Sequence, residues 1–330
     1  MTDIKGIIGA GENCQFTKLK LSPPKSNQIQ IKIAYAGVNR ADVEQSLGLY
    51  PPPSGASEVL GLECSGVVEK VGDSVRSFKV GDQVMALLTG GGFATHVNSD
   101  AETVLPVPEH LTLAEAAVIP ESLFTFWANA VMDGGLAAGK SFLVHGGASG
   151  LGSFSIQMAK VMGCSCYSTG KGAERVSFIQ GLGVDKVIDT DNIEETELNE
   201  KMLSIFGENS VDVIMDHLGA QFLDAHLNIL KKQGRIVFIN AVSGERGPLD
   251  YDLLIGKRIQ LIGSILRGRS LQEKDSIRLS IEKGALPILK DQLLRPKVDS
   301  EIPIEDFERA FQRLTDRKNQ GKIVLKVTDR

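Results

Sequence analysis

The chain falls into two stretches with different patterns of apolar and polar positions. Up to about residue 118 the apolar positions form short alternating runs, such as IQIKIAYAGV (29–38), separated by Gly-Asp turns. Further runs of this kind lie within residues 63–75, 81–88 and 90–100. A period of two is typical of half-buried strands, so many short strands with tight turns predict a compact, barrel-like β domain.

From about residue 122 the apolar runs alternate between strand and helix periodicity. The short apolar run SFLVHGG (141–147) is followed by GLGSFSIQMAKVMG (150–163), which has helical spacing. The pattern predicts further strands over 164–170, 185–190, 208–219, 235–242 and 258–266, and helices over 174–183 and 222–234. Strands separated by helices require right-handed crossovers, so this half is predicted to be a doubly wound parallel sheet.

The last part of the chain, from about residue 285, contains the helix-like IEDFERAFQRLTDR and a final strand KIVLKV. We expect it to return to the first domain. The predicted fold class is therefore α/β, with a β-rich domain over 1–121 and 267–330 and a doubly wound domain over 122–266. A chain of 330 residues is roughly twice the usual domain length, which agrees with two domains.

Composition excludes several classes of partner. The chain has 36 Lys and Arg against 41 Asp and Glu, a net charge of −5, so it has no general attraction for nucleic acid. Aromatic residues make up only 5%, which argues against a base-stacking surface. No apolar run approaches the ~20 residues that span a bilayer, so no membrane partner is expected.

The N-terminal sequence and the cysteines indicate a cytoplasmic protein. MTDIKGIIGAGENCQF has no basic segment followed by an apolar one, so no signal peptide is expected. Cys14, Cys64, Cys164 and Cys166 have neither C-x-x-C nor zinc-ligand spacing. We therefore interpret them as buried thiols in a reducing compartment.

The most informative motif is the glycine-rich turn in FLVHGGASGLGSFSIQMAK, which joins a buried strand to an amphipathic helix. Glycines let a diphosphate approach the backbone amides, and the helix N-terminus supplies unpaired N–H groups and a positive dipole end. The spacing is neither G-x-G-x-x-G nor that of a P-loop. Followed by further strands, it predicts a dinucleotide site; the alternative is a purely structural turn.

The end of the second strand of this domain favours NADPH over NADH. NAD sites usually place an acidic residue there to bind the ribose hydroxyls, whereas YSTGKGAER (167–175) has no carboxylate at its tip. Lys171 and Arg175 are able to pair with a 2′-phosphate. The alternative is that both are solvated surface charges.

With these motifs the sequence resembles the zinc-free quinone oxidoreductases of the medium-chain dehydrogenase/reductase superfamily. The resemblance covers AGVNRADVEQSLGLYPPPSGASEVLGLECSGVVEKVGD (36–73), GDQVMALLTGGGFATHV (81–97), LTLAEAAVIPESLFTFW (111–127), the glycine-rich turn and GKIVLKV (321–327). It implies a GroES-like catalytic domain and a Rossmann domain, with NADPH between them. It also implies a homodimer or homotetramer that reduces small quinones or enones.

The same resemblance indicates whether a catalytic metal is expected. Zinc-dependent relatives have a Cys in the segment that here reads VNRAD and a His-Glu pair where this chain has Leu62-Glu63. Asn39 and Leu62 replace those ligands, and the five histidines form no H-E-x-x-H. We therefore expect no metal, and an acceptor that is already electrophilic.

Three residues are predicted to be catalytic. Asn39 stands where zinc relatives have a ligand and is expected to bind the nicotinamide ribose or a substrate oxygen; the alternative is a loop cap. Asp42 is expected to orient Asn39, or else to cap the next helix. Tyr50 precedes three prolines and is expected to donate its phenol to a developing oxyanion; the alternative is a packing aromatic.

The remaining cofactor contacts are those that the resemblance implies. They come from the diphosphate turn, the adenosine end, the nicotinamide side and the returning chain. Besides Asn39, Lys171 and Arg175 they are Thr125, Ser149, Gly150, Leu151, Gly152, Thr190, Leu218, Gly219, Ile239, Ala241, Ser243, Ser264, Ile265, Leu266, Arg267 and Lys322.

Two further expectations follow. IQLIGSI (259–265) is predicted to be an apolar edge strand that pairs with a second copy, forming a homodimer. The expected reaction is NADPH-dependent reduction of small quinones by hydride or one-electron transfer. The alternatives are an enone or enoyl-thioester reductase and a non-catalytic, crystallin-like NADPH-binding protein.

Overall fold

The computed structural model describes residues 1–291 and 294–327. It contains two compact units: Met1–Phe124 together with the chain from Arg267 onwards, and Thr125–Leu266. The sequence pattern set the first boundary at residue 122. The division between the two units falls three residues later, after Phe124, within helix Pro120–Phe126.

The first unit opens with short strands and three short helices. The strands are β1 Thr2–Ile8, β2 Gln15–Leu21, β3 Gln28–Gly37, β4 Glu63–Val71, β5 Gln83–Leu87, β6 His96–Asp100 and β7 Val104–Pro106, and the helices are α1 Arg40–Ser46, α2 Leu113–Ala116 and α3 Pro120–Phe126. The predicted alternation in β3 is present, since Ile29, Ile31 and Ile33 are fully buried.

The second unit alternates strand and helix, after a turn of π-helix at Trp127–Asp133. Its elements are β8 Ser141–Val144, α4 Gly150–Val161, β9 Ser165–Gly170, α5 Ala173–Gly181, β10 Lys186–Asp189, α6 Glu195–Phe206, β11 Val211–Asp216, α7 Leu223–Ile229, β12 Leu230–Phe238, α8 Tyr251–Lys257 and β13 Gln260–Gly263. The sheet order is β10-β9-β8-β11-β12-β13, and every neighbouring pair is parallel. This is the 3-2-1-4-5-6 order of a Rossmann sheet, so the predicted doubly wound fold is confirmed.

One predicted helix is too long. The sequence pattern predicts a helix over 222–234, but α7 ends at Ile229 and the chain enters β12 at Leu230. Leu230 is fully buried and pairs with Val211 in the neighbouring strand. Pairing within the sheet thus overrides the helical spacing, and the left-handed Gln233 (φ 64°) takes up the irregularity in the strand.

The chain then returns to the first unit, as predicted. The returning elements are α9 Leu271–Lys290, β14 Val298–Pro303, α10 Phe307–Thr315 and β15 Lys322–Lys326. β15 joins β3 to complete a seven-stranded sheet of order β14-β15-β3-β4-β5-β7, with β6 also paired to β3. The long helix α9 was not predicted, although its start has a capping box between Ser270 and Glu273.

No helix in the described part of the chain has the length and the apolar character needed to cross a bilayer.

Candidate functional site

The glycine-rich turn packs tightly between β8 and α4. A side chain at Gly152 would place its Cβ 2.3 Å from the carbonyl oxygen of Gly146, and one at Gly147 would lie 2.4 Å from Ser168 Oγ. Ser149 caps α4, and its hydroxyl oxygen accepts the Gly152 N–H at 3.0 Å. The missing side chains therefore bring the start of α4 against the carboxyl end of the sheet.

The first turn of α4 is suited to a bound diphosphate. Ser149 is exposed, and Gly150 and Leu151 are half-buried. The first N–H groups of a helix have no acceptor within the helix, and the dipole there favours an anion. The structure thus brings the four predicted diphosphate residues together at one helix N-terminus.

The ends of β9 and β10 carry the residues predicted to bind the adenosine phosphate. Lys171 is exposed and Arg175 is half-buried, and neither forms a salt bridge with any residue that the structure describes. Thr190 donates both its N–H (2.7 Å) and its hydroxyl (3.1 Å) to the Gly170 carbonyl. Asp189 was not predicted here; its Oδ1 accepts the N–H of Gly172 at 2.8 Å.

The ends of β11 and β12 form an open cavity of about 710 Å³. Its lining includes four of the predicted contacts, namely Gly219, Ile239, Ala241 and Ser264. Asp216 holds the turn at one side, since its carboxylate accepts the N–H groups of Leu218 (2.6 Å) and Gly219 (3.2 Å). Ser243 donates its N–H to the Leu218 carbonyl at 2.8 Å.

Three other predicted contacts lie outside that cavity lining. Leu266 is buried, whereas Ile265 is 57% exposed. Thr125 is buried in α3, and its carbonyl accepts the Asn129 amide at 2.7 Å.

Asn39 and Asp42 meet at the start of α1 in the first unit. Asn39 is the N-cap, and Asp42 Oδ2 accepts its backbone N–H at 2.8 Å. The Asn39 amide nitrogen donates to Glu63 Oε1 at 2.9 Å. Both residues therefore cap α1, which is the alternative role given for each of them above. Asn39 is also hydrogen-bonded to a buried carboxylate.

Glu63 is the centre of this cluster, although it was not among the predicted site residues. Lys322 Nζ lies 2.5 Å from Glu63 Oε1, and Glu63 Oε2 accepts the Glu121 N–H at 3.0 Å. Lys322 also donates to Ser122 Oγ at 3.2 Å. The ammonium that the resemblance assigns to the cofactor is thus neutralised inside the first unit. The sequence signal was an acid and a lysine in otherwise apolar strands, where charges are rarely buried unless paired.

Arg267 lies on the ring of Tyr50, with the guanidinium carbon 5.2 Å from the ring centroid. Its Nε and Nη2 donate to the Thr89 carbonyl at 3.1 and 2.8 Å, and Nη2 also donates to Gln45 Oε1 at 2.6 Å. These contacts fix the plane of the guanidinium. They leave Nη1 buried and without a hydrogen-bond partner among the described residues, and the same holds for Asp42 Oδ1.

Burial changes the protonation of this cluster. It raises the pKa of Asp42 to about 7 and that of Glu121 to about 7, with nearby Glu63 adding to both. Burial also raises the pKa of Tyr50, although Arg267 opposes the shift. Asp42 is therefore able to hold a proton close to neutral pH, and Tyr50 is a neutral phenol.

The comparisons with known proteins agree with this architecture. Residues 25–109 match the alcohol dehydrogenase GroES-like domain, and residues 150–281 match the zinc-binding dehydrogenase family. The chain belongs to the medium-chain dehydrogenase/reductase superfamily. That superfamily comprises nicotinamide-dependent oxidoreductases, and the predicted GroES-like and Rossmann domains are confirmed.

Two relatives and one solved structure illustrate the range of the family. The quinone oxidoreductase of Sus scrofa is 28% identical over 306 residues, covering 92% of this chain and 90% of that protein. A phenolphthiocerol/phthiocerol polyketide synthase of Mycobacterium tuberculosis is 26% identical over 321 residues, covering 94% of this chain and only 14% of that much longer protein. A mycobacterial quinone oxidoreductase structure aligns over 98% of this chain and 100% of that chain, with a TM-score of 0.82 and 25% identity.

The catalytic zinc of the wider family does not fit the residues of this chain. Leu62 is a buried hydrocarbon side chain, and Asn39 directs its amide nitrogen to Glu63. An amide nitrogen that donates a hydrogen bond has no lone pair for a metal, and the neighbouring Glu63 is already neutralised by Lys322. We therefore derive no step through zinc.

The Glu63–Lys322 pair predicts a specific pattern of stability changes. Lys322→Met leaves a buried carboxylate unpaired, so the free energy of unfolding is expected to fall by about 3–5 kcal/mol. Adding Glu63→Gln to that variant should recover most of the loss, because a neutral amide leaves no unpaired charge and its oxygen still accepts one of the N–H groups of Asn39 and Glu121. Urea unfolding of the two single variants and the double variant measures this, and additive losses would contradict the pairing.

Asp42 predicts a pH dependence of stability. Its pKa of about 7 in the folded chain lies above its ordinary value, so the folded state binds more protons between the two values. The contribution of Asp42 to the free energy of unfolding therefore decreases as the pH rises through this range. The wild-type unfolding free energy, minus that of Asp42→Asn, should fall by about 1 kcal/mol per pH unit between roughly pH 5 and 7.

The matched control is Asp3→Asn, because Asp3 is a carboxylate with an 84% exposed side chain. It should leave the pH profile of stability unchanged. A profile for Asp42→Asn that runs parallel to the wild type would contradict the assignment.

Proposed function

We propose that this protein is an NADPH-dependent reductase of small quinones that works without metal. The observation that carries the proposal is the buried Nη1 of Arg267, a cationic donor that has no hydrogen-bond partner among the described residues and belongs to a guanidinium lying on the Tyr50 ring. Two donors of this kind suit an acceptor on which negative charge develops at a carbonyl oxygen. The similarity to quinone oxidoreductases over nine-tenths of both chains supports the same substrate class.

NADPH is proposed to bind along the carboxyl ends of the six-stranded sheet. Ser149, Gly150, Leu151 and Gly152 would hold the diphosphate through the first turn of α4. Lys171 and Arg175 would pair with the 2′-phosphate, because both are free of salt bridges within the described chain. The cavity at the ends of β11 and β12, with Gly219, Ile239, Ala241 and Ser264 in its lining, would take the nicotinamide half.

When bound, the reduced nicotinamide supplies a hydride. The acceptor's carbonyl oxygen is proposed to receive hydrogen bonds from Arg267 Nη1 and from the Tyr50 hydroxyl. Asp42 is proposed to supply the proton that the reduced oxygen needs, since its unpartnered Oδ1 is buried and its pKa is about 7. Asn39 orients Asp42 through its backbone N–H.

A quinone needs little help from a Lewis acid because it is already electrophilic. This agrees with the buried leucine and the engaged amide at the positions of the family's zinc ligands. The four cysteines are free in the structure, which supports a reducing compartment, so we propose that the protein acts in the cytoplasm.

The direct test is NADPH oxidation with a panel of ortho-quinones, para-quinones and a simple enone. We expect turnover with quinones to exceed turnover with the enone. If the enone alone is reduced, the protein is an enone reductase and the proposal is wrong. If NADPH binds but no acceptor is reduced, the protein is non-catalytic.

The role of Arg267 predicts a loss confined to the acceptor step. Arg267→Lys keeps the positive charge but loses the planar guanidinium with its two terminal nitrogens. The kcat/KM for quinone is therefore expected to fall by about 10²-fold, while the affinity for NADPH stays unchanged. Arg40→Lys is the matched control, because Arg40 is exposed and, within the described part of the chain, its ion pair is with its helix neighbour Glu44. An unchanged kcat/KM in Arg267→Lys would refute this assignment.

The coenzyme preference predicts a difference between two nucleotides. Lys171→Ala and Arg175→Ala should each weaken NADPH binding by about tenfold or more and leave NADH binding unaltered, because only NADPH carries the 2′-phosphate. Lys232→Ala, at an exposed lysine of the same unit, is the control. Equal affinity of the native protein for both nucleotides would contradict the preference.

The edge strand predicts the oligomeric state. β13 ends the six-stranded sheet and exposes Leu261, so we propose that it pairs with a second copy as a homodimer, or as the dimer within a homotetramer. Leu261→Asp should shift the protein towards monomer in sedimentation velocity. A monomeric wild-type protein at micromolar concentration would exclude this interface.

A further inference from the structure

Four buried polar side chains lie in a line near the carboxyl ends of β8, β9 and β11. Thr169 Oγ1 lies 3.0 Å from His145 Nδ1, and His145 Nε2 lies 2.7 Å from His226 Nε2. His226 Nδ1 faces Asp216 Oδ2 at 3.7 Å, which is beyond hydrogen-bond distance, and it has no hydrogen-bond partner among the described residues. All four residues are at most 3% exposed, and the proposed reaction uses none of them.

The two ends of this line are attached to the backbone segments that are proposed to hold the dinucleotide. At one end the Gly146 N–H, in the glycine-rich turn, donates to Thr169 Oγ1 at 3.3 Å. At the other end the Asp216 carboxylate accepts the N–H groups of Leu218 and Gly219. The line therefore joins the turn before α4 to the turn after β11.

Both imidazoles are neutral. Burial lowers the pKa of His226 to about 3 and that of His145 well below its ordinary value. A neutral imidazole has one N–H donor and one acceptor nitrogen, so only one of the two facing Nε2 atoms carries a hydrogen.

Asp216 decides which nitrogen carries it. Its oxygens accept backbone N–H groups, and its negative charge, 3.7 Å from His226 Nδ1, favours the tautomer with the hydrogen on that nitrogen. His226 Nε2 then accepts from His145 Nε2–H, and His145 Nδ1 accepts from the Thr169 hydroxyl. With the Gly146 N–H donating to Thr169, each donor along the line faces one acceptor.

A metal site is the competing interpretation of the same residues. His145, Asp216 and His226 place possible ligand atoms within 4.8 Å of one another, and two histidines with a carboxylate form a common zinc set. However, the two imidazoles already share a 2.7 Å hydrogen bond, which an ion bound through those nitrogens would have to replace. Both Asp216 oxygens are also engaged with backbone amides. The hydrogen-bond line therefore agrees better with the geometry.

We propose that His145 and His226 are positioning residues that hold the glycine-rich turn and the Leu218–Gly219 turn together, through three directional hydrogen bonds from Gly146 to His226 and the charge–dipole contact of His226 with Asp216. The line would present both turns to the dinucleotide in a fixed relative position, without any proton having to move. This inference rests on the proposed NADPH binding.

The tautomers can be measured without any variant. Long-range ¹⁵N–¹H correlation spectra of the native protein near neutral pH should show His226 protonated on Nδ1 and His145 protonated on Nε2. His226→Phe and His145→Phe assign the signals. The opposite tautomers, or a charged imidazole at either position, would overturn the line.

Thr169 provides the functional test. Thr169→Val keeps the side-chain volume but cuts the line, so NADPH binding is expected to weaken by about tenfold, whereas Thr169→Ser should stay within about twofold of the native affinity. Phe222→Leu is the matched control. The Phe222 ring packs on His145 with centroids 4.8 Å apart but takes no part in the line, so the variant should lower the thermal midpoint and leave affinity unchanged.

The outcomes separate this inference from the proposed function. The proposal would be overturned if Thr169→Val and Thr169→Ser bound NADPH with equal affinity, or if Phe222→Leu lost as much affinity as Thr169→Val. Either result would mean that the side chains contribute only general packing. Stoichiometric zinc in the purified protein, lost in His226→Phe, would replace it with a metal site. If the native protein binds neither NADPH nor NADH, the proposed function fails, while the tautomer measurement still decides the line.

Discussion

The close packing of α4 against β8 and β9 is the constraint on which the candidate coenzyme site depends. It is possible only because Gly147 and Gly152 carry no side chains, since a Cβ at either would lie within 2.4 Å of a neighbouring atom. As a result, the N-terminus of α4 lies at the carboxyl end of the parallel sheet. In an open α/β sheet, ligands bind at the carboxyl ends of the strands, where the strand order reverses. In this chain that point lies between β8 and β11.

The first unit places charge where an apolar core would be more stable. Glu63 and Lys322 are almost inaccessible, and burying such a pair generally gains little over hydrocarbon side chains of the same size. Asp42, Glu121 and Arg267 add further charge nearby. A cluster of this kind costs stability, and perturbed acids in such clusters are typical of functional sites. This agrees with the proposal that the cluster takes part in the chemistry and that the glycine-rich turn binds the coenzyme.

The features that follow from local sequence could be predicted. The strand, the glycines and the amphipathic helix after residue 141 are consecutive, so their pattern alone indicates the turn and its ligand class. The α7–β12 junction was mispredicted because Leu230 is committed to the sheet by its pairing with Val211, which helical spacing does not reveal.

The contacts that could not be predicted join residues far apart in the chain. Glu63 meets Lys322 because β4 and β15 both pair with β3, and His145 meets His226 because α7 returns to the end of β8. The roles of Arg267 also depend on tertiary contacts. The sequence resemblance predicts that Arg267 contacts the coenzyme, but it does not reveal that the guanidinium also contacts Thr89, Gln45 and Tyr50.

A crystal structure of the protein with NADP⁺ is the decisive experiment. We expect the diphosphate on the backbone N–H groups of Gly150 and Leu151, at the start of α4, and the 2′-phosphate beside Lys171 and Arg175. A nucleotide bound elsewhere on the chain, or a helix N-terminus that stays free of phosphate at saturating NADP⁺, would show that the coenzyme site has been misassigned.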